Sequence, residues 1–170
     1  GAPAEGVLRE ATAVPDTLVA MSTHGRTGLG RWVMGSVTDK VLQRLGTPLL
    51  LVNARQAPPA GAAHFSQVVL PLDGSPESEA AIPAAVEAAK TLGLPMALLH
   101  VVAPVVLATS AATDGFESDV ARLMAVADEQ AEAYVRAKTA DLRAAGVADV
   151  RGEVLRGFPA TQLLDYAQAH

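Results

Sequence analysis

A glycine-rich stretch beside a short apolar run is the first place where this sequence could do chemistry. The run TLVAMS (17–22) is followed by HGRTGLG (24–30), and Gly35-Ser36 then stand before a helical pattern. Glycines let backbone N–H groups approach phosphate oxygens, and a helix N-terminus adds a partial positive charge. The spacing therefore predicts an anion site suited to phosphate, in which Gly25 and Gly35 give close backbone approach.

The polar side chains near this stretch each have two interpretations. The Ser36 hydroxyl either donates to phosphate or only caps the helix. Arg26 and Arg31 either screen phosphate charge or are solvated, and solvation is the commoner state of a loop arginine. His24 and His100 each lie beside a strand end with no second histidine or carboxylate at ligand spacing, so we expect structural roles rather than a metal site.

A second candidate lies where another apolar run meets a turn. The segment VVLPLDGS (68–75) places Asp73 at the end of an expected strand. An Asp at a strand end followed by Gly often forms an Asx turn without any ligand, and this interpretation of Asp73 stays open.

Alternating helix and strand patterns would position these residues. Apolar residues make up 50% of the sequence and aromatic residues only 4%, which suits helices packed on a buried sheet. The expected helices are 3–13, 37–45 with Ser36 as N-cap, one helix from Pro76 to about Leu92 with Ser75 as N-cap and Gly93 at its end, and 118–145. The expected strands are 17–22, 48–52, the run from Val68, 95–102 and 150–155. This order indicates the α/β class.

Composition and charge exclude several classes of function. The net charge is −5 and the basic residues are scattered singly, so we expect no nucleic-acid partner. The chain has no cysteine, which excludes disulfides and cysteine zinc sites. The longest apolar stretch, 94–110, is broken by Pro95 and Pro104, so we expect no membrane span. The first residues lack the pattern of a signal peptide, and we expect a cytoplasmic protein.

The two ends of the chain resemble each other. GFPATQLLDYAQAH (157–170) aligns without gaps to GAPAEGVLREATAV (1–14), with Gly, Pro, Leu and three Ala in common. Chance similarity of alanine-rich helices is one explanation, and a tandem repeat is the other. The repeat predicts that 1–55 is the end of one copy and 66–170 the start of the next. The Pro- and Ala-rich segment 56–65 would link them.

Two segments resemble the universal stress protein family: STHGRTGLGRWVMGSVTDKVL (22–42) and VVLPLDGSPESEAA (68–81). The nucleotide loop of that family follows the fourth strand and reads Gly, two residues, Gly, nine residues, then Gly-Ser or Gly-Thr. Gly25, Gly35 and Ser36 match this pattern, whereas Ser22 stands where the family has its first glycine. Within the family, loss of these glycines goes with members that do not bind ATP.

The resemblance implies a site for ATP or a related adenine nucleotide, with or without Mg²⁺. Pro71 and Asp73 would line the adenine pocket, and Val101 would contact adenine through its backbone. The implied site consists of Ser22, Gly25, Gly35, Ser36, Val37, Pro71, Asp73 and Val101.

The resemblance also implies a doubly wound sheet of five parallel strands in the order 3-2-1-4-5. Residues 1–55 would supply the last two strands and 66–156 the first three, so one chain would form a circularly permuted sheet. The linker of about ten residues spans at most about 35 Å, which is enough to make the connection. Exchange of strands between two chains is the alternative. The strand at 49–52 would be an exposed edge, and in this family that edge commonly pairs in a homodimer.

Three functions compete at this point. The first is a stress-response module that binds nucleotide, changes state with ATP and hydrolyses it slowly at most. The second is a structural or dimerisation module of the same fold without a ligand, for which Ser22 is an argument. The third is an enzyme that adenylates a substrate. The sequence argues against the adenylating enzyme, because it has no nucleophile with an adjacent base and no acid pair for Mg²⁺.

Overall fold

A two-stranded and a three-stranded parallel sheet form the framework of the described residues. A computed structural model describes residues 2–23, 35–53, 64–104 and 116–170. The chain divides into two units, Gly1–Ala63 and His64–His170. Both units alternate helices with parallel strands, which confirms the α/β class. No helix in the described ranges is long and apolar enough to cross a membrane.

The first unit is built on a two-stranded sheet. Its elements are α1 (Pro3–Ala13), β1 (Val19–Thr23), α2 (Ser36–Arg44) and β2 (Leu49–Asn53). The two strands are parallel, with Val19 level with Leu49. The helices contribute the buried residues Ala4, Ala11, Thr38 and Val41. Side chains on one face of the sheet are half-buried, whereas those on the other face, Ala20, Ser22, Leu50 and Val52, are exposed.

The second unit is built on a three-stranded sheet. Its elements are β3 (Val68–Pro71), α3 (Pro76–Glu79), α4 (Ile82–Leu92), β4 (Met96–Val102), α5 (Phe116–Ala144), β5 (Val150–Arg156) and α6 (Pro159–Ala169). The strands are parallel in the order β3-β4-β5, so β4 is the central strand. Met96 on β4 is level with Val68 on one side and with Val150 on the other.

The core of this unit lies on both faces of β4. On one face, Met96 and Leu98 pack with Leu142 of α5 and with apolar residues of α4. On the other face, Ala97 and Leu99 pack against Tyr166 of α6. Full burial of a side chain such as Leu or Met contributes about 1.5–3 kcal/mol. Helices on both faces also explain why β4 is a continuous apolar run.

Two predicted helix boundaries were wrong. The helix expected from Pro76 to Leu92 is two helices, because the ring of Pro83 would clash with the carbonyl of Glu79, where α3 ends. Ser36 was expected to be an N-cap, but it is the first residue of α2 and Gly35 is the N-cap. Gly35 takes this position because its φ of −60° and ψ of 148° are the extended backbone that an N-cap needs.

Other boundaries were confirmed. Ser75 caps α3, since its side chain accepts a hydrogen bond from the Ser78 N–H. Gly93 ends α4 in the left-handed region, with φ at 64°, where a side chain would be strained. The glycine-rich loop 24–30 and most of the linker, 56–63, lie outside the described residues.

Gly152 of β5 allows the close approach of α5. A Cβ at this position would overlap Oγ1 of Thr139 and lie 2.6 Å from Cγ1 of Val135. We therefore expect Gly152→Ala to lower the free energy of unfolding by about 1–3 kcal/mol, as overpacking does. Urea denaturation followed by circular dichroism measures the change.

Gly46→Ala is the matched control, because no heavy atom lies within 4 Å of a Cβ at Gly46. We expect it to change the free energy of unfolding by less than about 0.5 kcal/mol. Equal effects of the two substitutions would contradict the close packing of α5 on β5.

Candidate functional site

The turn after β3 is organised around the Asp73 carboxylate. Oδ1 of Asp73 accepts hydrogen bonds from the backbone N–H of Ser75 at 2.9 Å and from the Ser75 hydroxyl at 2.6 Å. Gly74, with φ at 88°, supplies the left-handed backbone between them. The Asx turn that the sequence left open is therefore present, and it leads directly into the N-terminus of α3.

These hydrogen bonds stabilise the ionised form of Asp73. The Ser75 hydroxyl, and next the Ser75 N–H, hold the pKa of Asp73 at about 2, below its ordinary 3.8. Both groups donate to the ionised form and so favour it. Asp73 is exposed and is a carboxylate at neutral pH, so it can accept hydrogen bonds from a ligand.

His100 of β4 holds the residue that precedes Asp73. Its Nδ1 lies 2.8 Å from the Leu72 carbonyl oxygen and donates to it, while the Leu72 N–H donates to the Leu99 carbonyl at 2.9 Å. The ring packs on Tyr134, with centroids 5.5 Å apart. The part of the chain that the structure describes has no group of three potential metal ligands. These contacts give His100 a role in holding the Leu72 carbonyl and in packing on Tyr134.

A polar cluster that sequence analysis missed joins α3 to α5. The Tyr134 hydroxyl donates to Oε1 of Glu79 at 2.8 Å, and Nζ of Lys138 contacts Oε2 at 2.7 Å. The Lys138 bond, followed by the Tyr134 bond, lowers the pKa of Glu79. Burial, followed by the bond to Glu79, raises the pKa of Tyr134. The i,i+4 spacing of Tyr134 and Lys138 indicates a shared helix face, but it does not identify Glu79 as the partner.

Three predicted site residues lie at the carboxyl end of the second unit's sheet. Pro71 is the exposed last residue of β3 and is level with Leu99. Val101 follows two residues later on β4 and is half-buried. Asp73 follows Pro71 at the same end of the sheet.

The backbone groups of Val101 lie beyond the end of β3. The Leu72 N–H bonds to the Leu99 carbonyl, so the backbone groups of Leu99 face β3. Backbone groups alternate in direction from one residue of a strand to the next, so the N–H and C=O of Val101 face the same side as those of Leu99. The Leu72 carbonyl, which would be the next partner, accepts from His100 instead. Within residues 64–104 and 116–170, no strand pairs with Val101 on that side.

The other predicted site residues belong to the first unit. Ser22 is exposed near the carboxyl end of β1, level with Val52. Gly35 and Ser36 are exposed at the start of α2, and Val37 is half-buried in its first turn. Among the described residues, no heavy atom lies within 4 Å of the position that a Cβ on Gly35 would take.

Several predicted residues have no described placement. His24, Gly25, Arg26 and Arg31 lie outside the described residues. Their roles therefore stay predictions.

Comparison with known proteins decides the family. The profile of the universal stress protein family matches residues 1–53 and 64–170. The chain belongs to this family. A universal stress protein of Mycobacterium tuberculosis is 30% identical over 83 residues, and one of Mycolicibacterium smegmatis is 34% identical over 86 residues. Each match covers 49% of this chain, and the chain spans only 28% of the length of these relatives.

Solved structures of universal stress proteins share the fold. One from Archaeoglobus fulgidus superposes with a TM-score of 0.64 at 18% identity, covering 98% of this chain and 52% of that chain. The protein UspA from Lactobacillus plantarum superposes with a TM-score of 0.53 at 21% identity, covering 64% of this chain and 72% of that chain. Similarity at this level of identity concerns the fold alone.

The depressed pKa of Asp73 predicts a pH-dependent stability. A carboxyl with a lowered folded-state pKa stabilises the fold fully above its ordinary value, here 3.8, and loses this contribution as the pH falls towards about 2. Asp73→Asn keeps an acceptor oxygen but does not titrate. We expect the free energy of unfolding of the unsubstituted universal stress protein to fall relative to that of Asp73→Asn across this window.

Urea denaturation of both proteins at a series of pH values measures the difference. Above about pH 5 the difference should be constant, because Asp73 is then ionised in both the folded and the unfolded state. A difference that also stays constant down to pH 2 would contradict the assigned hydrogen bonds.

Proposed function

We propose that this universal stress protein binds ATP or a related adenine nucleotide, and that binding changes its state in a stress response, with slow hydrolysis at most. The observation that carries the proposal is the N-terminus of α2, which no side chain of the described residues caps. Its N-cap is Gly35, which has no side chain to accept from the first N–H groups of the helix. In α3, by contrast, the Ser75 side chain fills that role. Phosphate oxygens would complete the hydrogen bonding at α2.

The adenine end of the proposed site uses the second unit. The backbone N–H and C=O of Val101 form a donor and acceptor pair beyond the end of β3. An adenine edge presents the complementary pair, a ring nitrogen and an amino group. The ionised Asp73 supplies a second acceptor for an N–H or hydroxyl of the nucleotide, and the exposed Pro71 offers an apolar surface.

The proposal requires that strands of both units share one sheet in the order 3-2-1-4-5, with β1 beside β3. Parallel sheets are normally covered on both faces, and a two-stranded sheet is marginal by itself. Ala20, Leu50 and Val52 are nevertheless exposed on the uncovered face of the first unit's sheet. Joining the strands within one chain gives a permuted sheet, and joining them between two chains gives a strand-swapped dimer.

Substitution at Gly35 tests nucleotide binding directly. Asp and Asn are both favoured at an N-cap, and Gly35 has neither a positive φ nor a crowded Cβ position, so both variants should fold. Asp adds a negative charge next to phosphate, whereas Asn adds nearly the same volume without charge. We expect Gly35→Asp to weaken ATP binding by about 100-fold and Gly35→Asn to weaken it less, because repulsion between close like charges costs several kcal/mol.

Titration calorimetry with ATP, with and without Mg²⁺, measures these affinities. Equal affinity of Gly35→Asp and the unsubstituted chain would contradict the phosphate position at α2. If the unsubstituted chain releases no heat and carries no nucleotide after denaturation, nucleotide binding is wrong. The dimerisation module, which Ser22 and the edge strand β2 favour, would then be the better hypothesis.

Amide hydrogen exchange tests the shared sheet. The Val19 N–H bonds to the Pro48 carbonyl, so the N–H groups of Ala20 and Ser22 point away from β2. The Val68 N–H bonds to the Pro95 carbonyl, so the N–H group of Val69 points away from β4. We expect these three amides to exchange slowly, because the shared sheet would bond them. Rapid exchange of all three would contradict the sheet.

Repeating the exchange at decreasing protein concentration, with sedimentation analysis, separates the two assemblies. Protection that persists in the monomer supports the permuted sheet, and protection lost with the dimer supports strand exchange. Slow exchange of the Leu49 and Leu51 amides would indicate a homodimer formed through β2, because the N–H groups of these two residues point away from β1.

A further inference from the structure

A groove separates α5 from the free edge of β5 on the side of the sheet remote from β3. Its volume is about 420 Å³. At one end, Nη2 of Arg143 donates to the Val150 carbonyl at 2.7 Å. At the other end, Arg156 forms an ion pair with Asp128 at 3.1 Å. The groove between these contacts runs along the middle of β5.

The backbone of β5 offers donors and acceptors to this groove. The Met96 N–H bonds to the Asp149 carbonyl at 2.8 Å, and the Gly157 N–H bonds to the Val102 carbonyl at 3.1 Å. Odd-numbered residues of β5 therefore turn their backbone groups towards β4, and even-numbered residues turn theirs outwards. The Arg143 bond to the Val150 carbonyl agrees with this alternation. Gly152 and Val154 then present an N–H and a C=O each to the groove, with no backbone partner among the described residues.

The wall of the groove carries excess positive charge. Arg136, Arg143 and Arg156 all line it, together with the single carboxylate of Glu132. Asp128 offsets the charge of Arg156. Arg136 lies between the Arg143 and Arg156 contacts that mark the two ends of the groove. It forms no ion pair with any described residue. Its planar guanidinium suits a carboxylate.

We propose that this groove binds an extended acidic peptide, which adds to the sheet as a strand beside β5. The peptide backbone pairs with Gly152 and Val154, and its carboxylates contact Arg136 and Arg143. Strand addition of this kind takes affinity from main-chain hydrogen bonds and specificity from the alternate side chains.

Charge and hydrogen bonding favour this occupant over two others. A second copy of β5 would bring a second set of the same arginines to the groove, and like charges repel. A small anion would contact Arg136 and the two N–H groups, but it would leave the carbonyls of Gly152 and Val154 unpaired. An acidic peptide meets the charges, the donors and the acceptors together. The proposal does not depend on nucleotide binding.

The test uses the full ¹⁵N-labelled chain and a synthetic peptide of six alternating Glu and Val residues, blocked at both ends. We expect the peptide to slow amide exchange at Gly152 and Val154 by about tenfold or more, because each N–H gains a partner. Arg151 and Glu153, whose N–H groups already face β4, should change little. Unchanged exchange at Gly152 and Val154 would overturn the proposal.

Two controls separate strand addition from general attraction of anions. A peptide of the same sequence, N-methylated at alternate residues, keeps the charge but loses the backbone donors, so it should not bind. Arg136→Gln should weaken binding about tenfold or more, as loss of a hydrogen bond to a charged group does. Arg9→Gln removes the same charge from the exposed face of α1 and should have no effect. Equal binding of the methylated peptide, or the same exchange changes with inorganic phosphate alone, would show an anion site and overturn strand addition.

Discussion

The parallel pairing of β4 with both of its neighbours is the constraint on which the second unit depends. Met96, Leu98 and Leu99 are almost completely buried, so β4 cannot shift by one residue without turning its core side chains to the opposite face. The same pairing turns the backbone groups of alternate residues to β3 or to β5. Because β3 is shorter than β4, Val101 lies beyond its end. Because β5 has no described neighbour on its outer side, Gly152 and Val154 face the groove. The register of β4 thus generates both candidate binding surfaces, namely the backbone of Val101 beyond the end of β3 and the groove beside β5.

The polar groups around Asp73 hold the turn without burying a charge. Leu72 is bonded through its N–H to β4 and through its carbonyl to His100, so the residue before Asp73 is constrained on both sides. The Glu79 contacts with Tyr134 and Lys138 then tie α3 to α5. A loop that carries a binding residue is more precise when a rigid element supports it. Here α5 and β4 support a turn whose carboxylate, Asp73, remains exposed.

The elements were predictable where local patterns dominate. Apolar runs, the Ser75-Pro76 start of α3 and the Gly93 end of α4 depend on neighbours in sequence, and these predictions were confirmed. Pro83 was a signal for the break after α3, but the expected helix ran through it. The Glu79 cluster and the β5 groove were not predictable, because they depend on contacts between residues that are far apart in sequence. The tandem repeat and the roles of Gly25 and Asp73 in nucleotide binding stay predictions.

Ser22 was the main argument from the sequence against nucleotide binding, and its backbone weakens that argument. Ser22 lies within β1, paired in regular register with Val52, and its φ is not positive. A strand residue needs no glycine for its conformation, so serine adds only a Cβ and a hydroxyl on the exposed side. A hydroxyl can donate to phosphate, whereas a bulky side chain would exclude it. Replacement of glycine by serine here changes the space available to a ligand without straining the strand.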